Sequence, residues 1–322
     1  MKLIAYLVYL PIQIIWLPLS LLGGALVAYK QLAISKRLGV SGTAVEVVNG
    51  RWTMDVFGLR RDPAARKLAA KIPNNSTFGL WLALFPLWLA RQIAGEPIIY
   101  PTLPTPDAAG IANLIPSRTV EFDSLIGANA EYAGQFVVLG AGLDTRAYGP
   151  LQDCALALFE LDQEANQAHK RKYVATCGID TTKVEFITVD FADPLWIRAL
   201  TSSRYDSARK TIFLWEGVTL YLSEQAVNDT LSALKVNAAP GSVVIADFYS
   251  TRFVGIGKSK QGSKLLDITG EGMGFGLDFS NDAEGHLRRF VEAQGLTLGR
   301  HQFLGANNKN GPFSVIAELI VN

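Results

Sequence analysis

The chain has 322 residues, a formal net charge of +1 and 49% apolar residues, enough for one large core or two modest ones. Two cysteines, Cys154 and Cys177, exclude a disulfide framework, and three histidines exclude a histidine-rich metal centre, so no metal is expected. A mean hydropathy of +0.20 is high for a soluble enzyme and points to a membrane-seeking part.

Residues 3–29, LIAYLVYLPIQIIWLPLSLLGGALVAY, contain no charged side chain. Their length exceeds the roughly 20 residues that cross a bilayer core, and also the apolar region of about 7 to 15 residues in a signal peptide. Pro11 and Pro18 are expected to kink or break a helix, so the segment dips into the bilayer or crosses it. Residues 1–34 therefore read as a membrane-embedded segment. From Lys30 to Asn75 nine Lys and Arg stand against three acids, which leaves residues 76–322 at −6. Basic charge beside an apolar N-terminus argues against nucleic acid and for an anionic lipid surface. The positive-inside rule places it on the cytosolic side.

Residues 35–110 read as a basic and aromatic membrane-associated region with a linker. Within it, 44–57 alternates around Asn49-Gly50 and predicts a hairpin. Asp62-Pro63 opens a helix through Lys71, with Asp as N-cap and Pro in first position. FGLWLALFPLWLA (78–90) predicts a helix with Phe78, Trp81, Phe85 and Trp88 along one stripe. Apolar all round and too short to span, it lies under a catalytic domain or at a membrane interface. The proline-rich 96–110 reads as the linker.

In residues 111–322, strand patterns at 136–139, 156–161, 184–189, 211–215 and 242–248 alternate with helical ones at 118–130, 163–176, 193–201 and 223–237. This predicts a parallel sheet covered on both faces. A helix near 282–294 and two strands, 296–304 and 313–321, follow, joined by GANNKNGP as an antiparallel hairpin. The first strand breaks into Gly140 and Gly142, a turn that lets backbone approach a nucleotide-like ligand. Thr145 stands where a dinucleotide fingerprint needs its third glycine. The second strand ends at Glu160 and Asp162, an acid placed to accept from ribose hydroxyls. Asp190 ends the third strand, placed for an adenine amino group, and Glu216 ends the fourth. Glu160 points to the opposite face from its neighbours, Asp144 caps a turn, and His169 in HKRKY reads as part of a solvated helix face. Tyr221 is a substrate contact or a core residue.

SRT-x-x-x-D (117–123), LGAGLDTRAY (139–148), FELD (159–162), VD (189–190), EGVTLYL (216–222) and PGS (240–242) together resemble the leucine carboxyl methyltransferase family, in its bacterial branch. The resemblance covers about residues 112–322. It implies an α/β class I methyltransferase sheet, five parallel strands plus the C-terminal antiparallel hairpin, with S-adenosyl-L-methionine as cofactor. By the same resemblance Arg118 clamps the methionine carboxylate, Gly140 and Gly142 line the cofactor turn, and Asp162 holds the ribose. Asp190 and Phe191 then hold the adenine, and Glu216 sits near the cofactor's amino group.

A carboxylate acceptor is already ionised at neutral pH and needs no general base, whereas a hydroxyl needs one in reach. No histidine lies in these motifs, which favours a carboxylate or an acidic hydroxyl. The glycine-rich 249–279, with Lys258, Lys260 and Lys264, reads as a substrate cover. With the N-terminal region it suggests an apolar small-molecule or lipid-like acceptor with an anionic end. Other readings are carboxyl methylation of a protein C-terminus, a membrane-tethered NAD(P)-dependent reductase, and a non-enzymatic cofactor-binding scaffold.

Overall fold

The structure, a computed structural model, describes residues 1–257 and 272–322. It begins with α1 (Lys2–Tyr29), which continues through a π-helical turn (Lys30–Ile34) and a last α turn (Ser35–Leu38) to Gly39 at φ 63°. Pro11 and Pro18 do not end the helix. Each removes one backbone bond, and both lie on the exposed side of the helix.

The expected hairpin at 44–57 is instead a helix, α2 (Gly42–Val56). The Ser41 hydroxyl caps it by accepting from Ala44 N, and Val45, Val48 and Trp52 recur at helical period into one apolar cluster with Leu68 and Leu143. The Asn49-Gly50 turn signal is overridden by that packing, and Gly50 gives room to Ile115, whose Cγ2 a Cβ there would meet at 2.4 Å. The helix from Asp62-Pro63 forms as expected: in α3 (Pro63–Lys71) Asp62 accepts from Ala65 N.

Next comes α4 (Thr77–Ala94), capped by Ser76 and ended by Gly95 at φ 86°. Trp81 and Phe85 both pack on Trp88, and Trp81 also meets Trp52 edge-on at 5.6 Å, while Phe78 points outward. α1 and α4 form an antiparallel pair that crosses where Gly23 faces Gly79. A Cβ on either glycine would lie 2.5 or 2.8 Å from the other's carbonyl oxygen, so only glycine lets the backbones approach. Both helices are long and apolar enough to cross a membrane by length and composition.

After an irregular stretch comes α5 (Leu114–Ala130), then the sheet. β1 (Gln135–Leu139), β2 (Ala157–Asp162), β3 (Val184–Thr188), β4 (Thr211–Trp215) and β5 (Val243–Tyr249) are parallel. β6 (Thr297–Leu304) and β7 (Ser314–Ile320) close the sheet antiparallel, in the order β3-β2-β1-β4-β5-β7-β6. The expected architecture is therefore present, with strand ends within a residue or so of the predicted ones. Between and beyond the strands lie α6 (Glu164–Thr176), α7 (Ile197–Thr201), α8 (Glu224–Asn237), α9 (Thr251–Gly257) and α10 (Ala283–Ala293).

Val137, Phe159, Phe213 and Phe248 fill one face of the sheet, and Phe136, Val138, Leu158 and Ile212 the other. Both faces are dry, as a parallel sheet requires. The strand order reverses between β1 and β4, the place where open α/β sheets bind ligands outside their carboxyl ends.

Candidate functional site

At that reversal the chain leaves β1 through Gly140 at φ 70° and Gly142 at φ 42°. A Cβ at Gly140 would lie 2.4 Å from Val218 Cγ2, so the turn tolerates no side chain. Asp162, at the end of β2, fixes this turn: its Oδ2 accepts from Gly142 N at 2.5 Å. Its Oδ1 accepts from Gln163 N at 2.7 Å and Asn166 Nδ2 at 3.1 Å. Asp190 lies exposed at the rim past β3 and accepts from Ala192 N at 3.0 Å. The Phe191 ring is buried in the core, packed edge-on against Trp196.

Opposite the turn is a buried set of arginines and carboxylates. Arg118, on α5, donates through Nη1 to Tyr249 Oη at 2.6 Å and to Asp247 Oδ2 at 3.2 Å, and its Nε lies 3.1 Å from Glu216 Oε1. Tyr249 passes the chain on, donating to Asp247 Oδ2 at 2.9 Å, while Gly217 N donates to Asp247 Oδ1 at 2.8 Å. Gly217 has φ 70° and packs on the guanidinium, where a Cβ would come within 3.2 Å of Nη1.

Glu216 Oε2 accepts from Arg51 Nη2 at 3.0 Å and closely from Arg146 Nη1. The same Arg51 Nη2 donates to Asp144 Oδ2 at 2.7 Å. Asp144 Oδ1 caps the turn at Arg146 N, 2.7 Å away, as expected from the sequence. Further out, Asp123 accepts from Arg146 Nε at 2.7 Å and from Arg60 Nε at 2.5 Å.

Burial alone would raise the pKa values of Asp144, Glu216 and Asp123. Arg51 and Arg146 nevertheless hold Asp144 far below the carboxylate range, Arg146, Arg51 and Arg118 hold Glu216 below its usual value, and Arg146 and Arg60 do so for Asp123. Asp247 goes the other way: burial raises it, and Arg118 and the Gly217 N–H only partly offset this. Arg51 is fully buried, yet among the described residues its Nε and Nη1 have no hydrogen-bond partner; Arg146 Nη2 also lacks one there. Bare buried donors beside strand ends suit an incoming anion.

Of the expected site residues, the fold brings Gly140, Gly142, Asp162, Arg118 and Glu216 to one end of the sheet, with Asp190 at the rim. Glu216 stands among three guanidinium groups. Tyr221 packs with Leu220, Val254 and Tyr249, the tyrosine that holds Arg118. Sequence reasoning missed Asp247, Tyr249 and Arg146, and it assigned Arg51 and Arg60 to a lipid-facing basic stretch. Both of these arginines turn inward. A signal existed for Arg51, which directly precedes the buried Trp52 on α2.

The HKRKY stretch is solvated at Arg171 and Lys172 but not at the other three residues. Lys170 is buried and pairs with Glu160 Oε2 at 2.7 Å, which also accepts from Tyr148 Oη at 2.9 Å. His169 is half-buried against Tyr173 and, with Ser41, Gly142 and Asn166, lines a void of about 10 Å³. That void is the seam between α2 and the glycine turn: Ser41 N donates to Asn166 Oδ1 at 2.9 Å, and a Cβ on Gly142 would touch Ala44. Residues 258–271 of the expected cover, which include its three lysines, lie outside the described residues. Its flanks, Thr251, Val254 and Gly274–Gly276, line a cavity of about 160 Å³ with Glu224.

A sequence profile of leucine carboxyl methyltransferase matches residues 58–235, more than half of the chain. The chain belongs to the leucine carboxyl methyltransferase family. A Mycobacterium tuberculosis protein with the provisional name of an S-adenosyl-L-methionine-dependent methyltransferase is 28% identical over 218 residues. The alignment covers 67% of this chain and 66% of that relative, so the chain spans just under two thirds of the relative's length. A similarly named protein of Mycolicibacterium smegmatis is 32% identical over 171 residues, covering 52% of this chain and 55% of the relative.

Among solved structures, a Thermobifida fusca protein with the provisional name of a methyltransferase superposes with a TM-score of 0.50 at 17% identity. It covers 80% of this chain and 93% of its own. The fold is that of the class I methyltransferases. For this family the residues present fit S-adenosyl-L-methionine: a glycine turn without room for side chains, an acid at the end of β2, and a buried arginine set with bare donors.

Proposed function

We propose that the protein is an S-adenosyl-L-methionine-dependent O-methyltransferase. In this reading it acts at a membrane on an apolar, small-molecule or lipid-like acceptor, at a carboxylate or acidic hydroxyl. When bound, the cofactor supplies a methyl group on a sulfonium, open to in-line displacement. Arg118 holds the methionine carboxylate, pre-oriented by Asp247 and Tyr249. Asp162 accepts from the ribose hydroxyls while it fixes the turn at Gly142, and Asp190 and the Phe191 backbone border the adenine. Glu216 serves less as a partner for the cofactor's amino group than as the counter-charge that keeps three arginines together.

The observation that carries the reading is this buried arginine set at the strand ends, with donors left bare. Fixed guanidinium groups in a dry site stabilise and orient a carboxylate without proton transfer. An acceptor carboxylate attacks as it stands, and α2, packed over the glycine turn, keeps water out. The basic exposed residues near α1 favour a catalytic unit on the cytosolic side of the membrane.

The test is incubation of lipid and small-molecule extracts with radiolabelled S-adenosyl-L-methionine, followed by mass identification of the product. A base-labile methyl ester in the organic phase is the expected result. Label recovered only in protein C-termini, or binding of NADPH in place of the cofactor, would overturn the reading.

A further inference from the structure

The N-terminal helix pair carries its own evidence for how it meets a membrane. α4 does not project from the catalytic unit but lies along it. Trp81 packs on Trp52 of α2, and Arg91 Nε donates to Phe57 O at 3.1 Å, contacts about 15 Å apart along the axis. α1 lies on the outer side of α4, fastened at one end where Gly23 meets Gly79 and midway by Trp16 Nε1 donating to Leu82 O at 2.9 Å. Its other end is held by Lys2 on Glu96 at 2.8 Å and by Tyr6 Oη donating to Ile98 O at 2.8 Å. The outward stripe of α1, Leu3, Leu7, Leu10, Ile14 and Leu21, is 56–73% exposed and covered by nothing among the described residues.

We infer that the α1–α4 pair lies flat in the single leaflet facing the catalytic unit, and does not cross the bilayer. An upright pair would put Lys2 on the far side. The irregular chain after Gly95 would then have to return through hydrocarbon to Pro106, whose carbonyl accepts from Gly305 N at the sheet at 2.9 Å. Lipid-exposed irregular backbone has nothing to satisfy its N–H and C=O groups there. Lying flat, the apolar stripe sinks to the boundary of headgroups and acyl chains, the depth that amphipathic in-plane helices reach.

The partner is an anionic leaflet, because exposed Lys36, Arg37 and Lys71 lie within a few residues of Lys30 and Asn75, which join at the Gly23–Gly79 end of the pair. α2 would then be the one helix between the leaflet and the glycine turn. This inference rests on the membrane-associated reading above.

The test uses the full chain in bacterial membranes and a sulfonated, impermeant maleimide. Exposed Cys154 reports the side of the catalytic unit in the Cys177→Ser protein, and Lys2→Cys reports the N-terminal end in a Cys154→Ser, Cys177→Ser background. Flat seating predicts that both sites label in inverted cytoplasmic-membrane vesicles and that neither labels in spheroplasts. Labelling of residue 2 in spheroplasts, with Cys154 labelled only in inverted vesicles, overturns flat seating and keeps the membrane reading. Recovery of the intact protein in the soluble fraction overturns both. Ile14→Cys in the same background should resist labelling until detergent is added, whereas free labelling in inverted vesicles overturns burial of the stripe.

Discussion

Replacing Arg51 by Met separates a structural role for the arginine set from a ligand-binding one. Removing one partner of a buried ion pair costs about 3–5 kcal/mol. Two features reduce that cost here. Asp144 and Glu216 both keep Arg146, and Glu216 keeps Arg118 as well. The substitution also removes two bare buried donors, Nε and Nη1, each of which costs about 1–3 kcal/mol to leave unsatisfied. The net loss of stability should therefore be under about 2 kcal/mol, read as a small shift of the urea midpoint at unchanged slope.

Function should suffer more. One charge-assisted hydrogen bond to a bound carboxylate is worth about 1.5–3 kcal/mol, or roughly 10- to 150-fold in affinity. Calorimetry with S-adenosyl-L-methionine and steady-state kinetics with the acceptor then assign the loss. Weaker cofactor binding places the free edge of Arg51 on the methionine carboxylate, and a raised KM at constant cofactor affinity places it on the acceptor. A destabilisation above about 4 kcal/mol, with folded enzyme of unchanged affinity and KM, would show that the arginine is structural and refute the reasoning.

Asp162→Ala should weaken S-adenosyl-L-methionine binding by at least about tenfold, because it removes both the ribose acceptor and the clamp on Gly142 N; unchanged affinity by calorimetry removes Asp162 from the site. Gly23→Leu should push α1 off α4, since even its Cβ would sit 2.5 Å from Gly79 O; faster proteolysis of residues 1–34 with unaltered cofactor binding is the expected readout. Deleting residues 1–34 should lower turnover of a vesicle-borne acceptor through loss of local concentration, with cofactor affinity nearly unchanged; equal turnover would favour a soluble acceptor.

The pH dependence has two limbs. Asp247 and Glu160 have raised pKa values, so stability grows as pH falls through those values toward the ordinary 3.8 and 4.5. Asp144, Glu216 and Asp123 have lowered ones, so their contribution is present above the ordinary 3.8 to 4.5 and is lost as pH falls through the folded values. Urea midpoints should thus rise on mild acidification and collapse below it. Asp247→Asn should flatten the rise, and a midpoint that falls steadily from neutral pH in the parent protein contradicts the assignment.

The parallel sheet was legible because its signals are local. Each strand is a short apolar run that must be buried on both faces, and each ends in a turn whose residues are fixed by backbone sterics, as at Gly140 and Gly142. The acids at strand ends were legible for the same reason, since a strand end and the side chain on it share one position in the chain. Asp62 and Pro63 announced α3 through cap chemistry confined to a few residues.

What the sequence left undecided depended on partners far along the chain. Asn49-Gly50 carries a turn signal, and only the burial of Val45, Val48 and Trp52 against Leu68 and Leu143 makes that stretch a helix. A count of basic residues cannot tell a solvated lysine from an arginine facing a carboxylate. Arg51 meets Asp144 and Glu216, 93 and 165 residues away, and Lys170 meets Glu160 across the turn from β2 into α6. Charge in a sequence is a sum over residues, whereas the work of a charge depends on which opposite charge the fold places beside it and how much water remains between them. Composition therefore sufficed to mark α1 as apolar, and the packing of α4 along α2 decided which way that apolar face points.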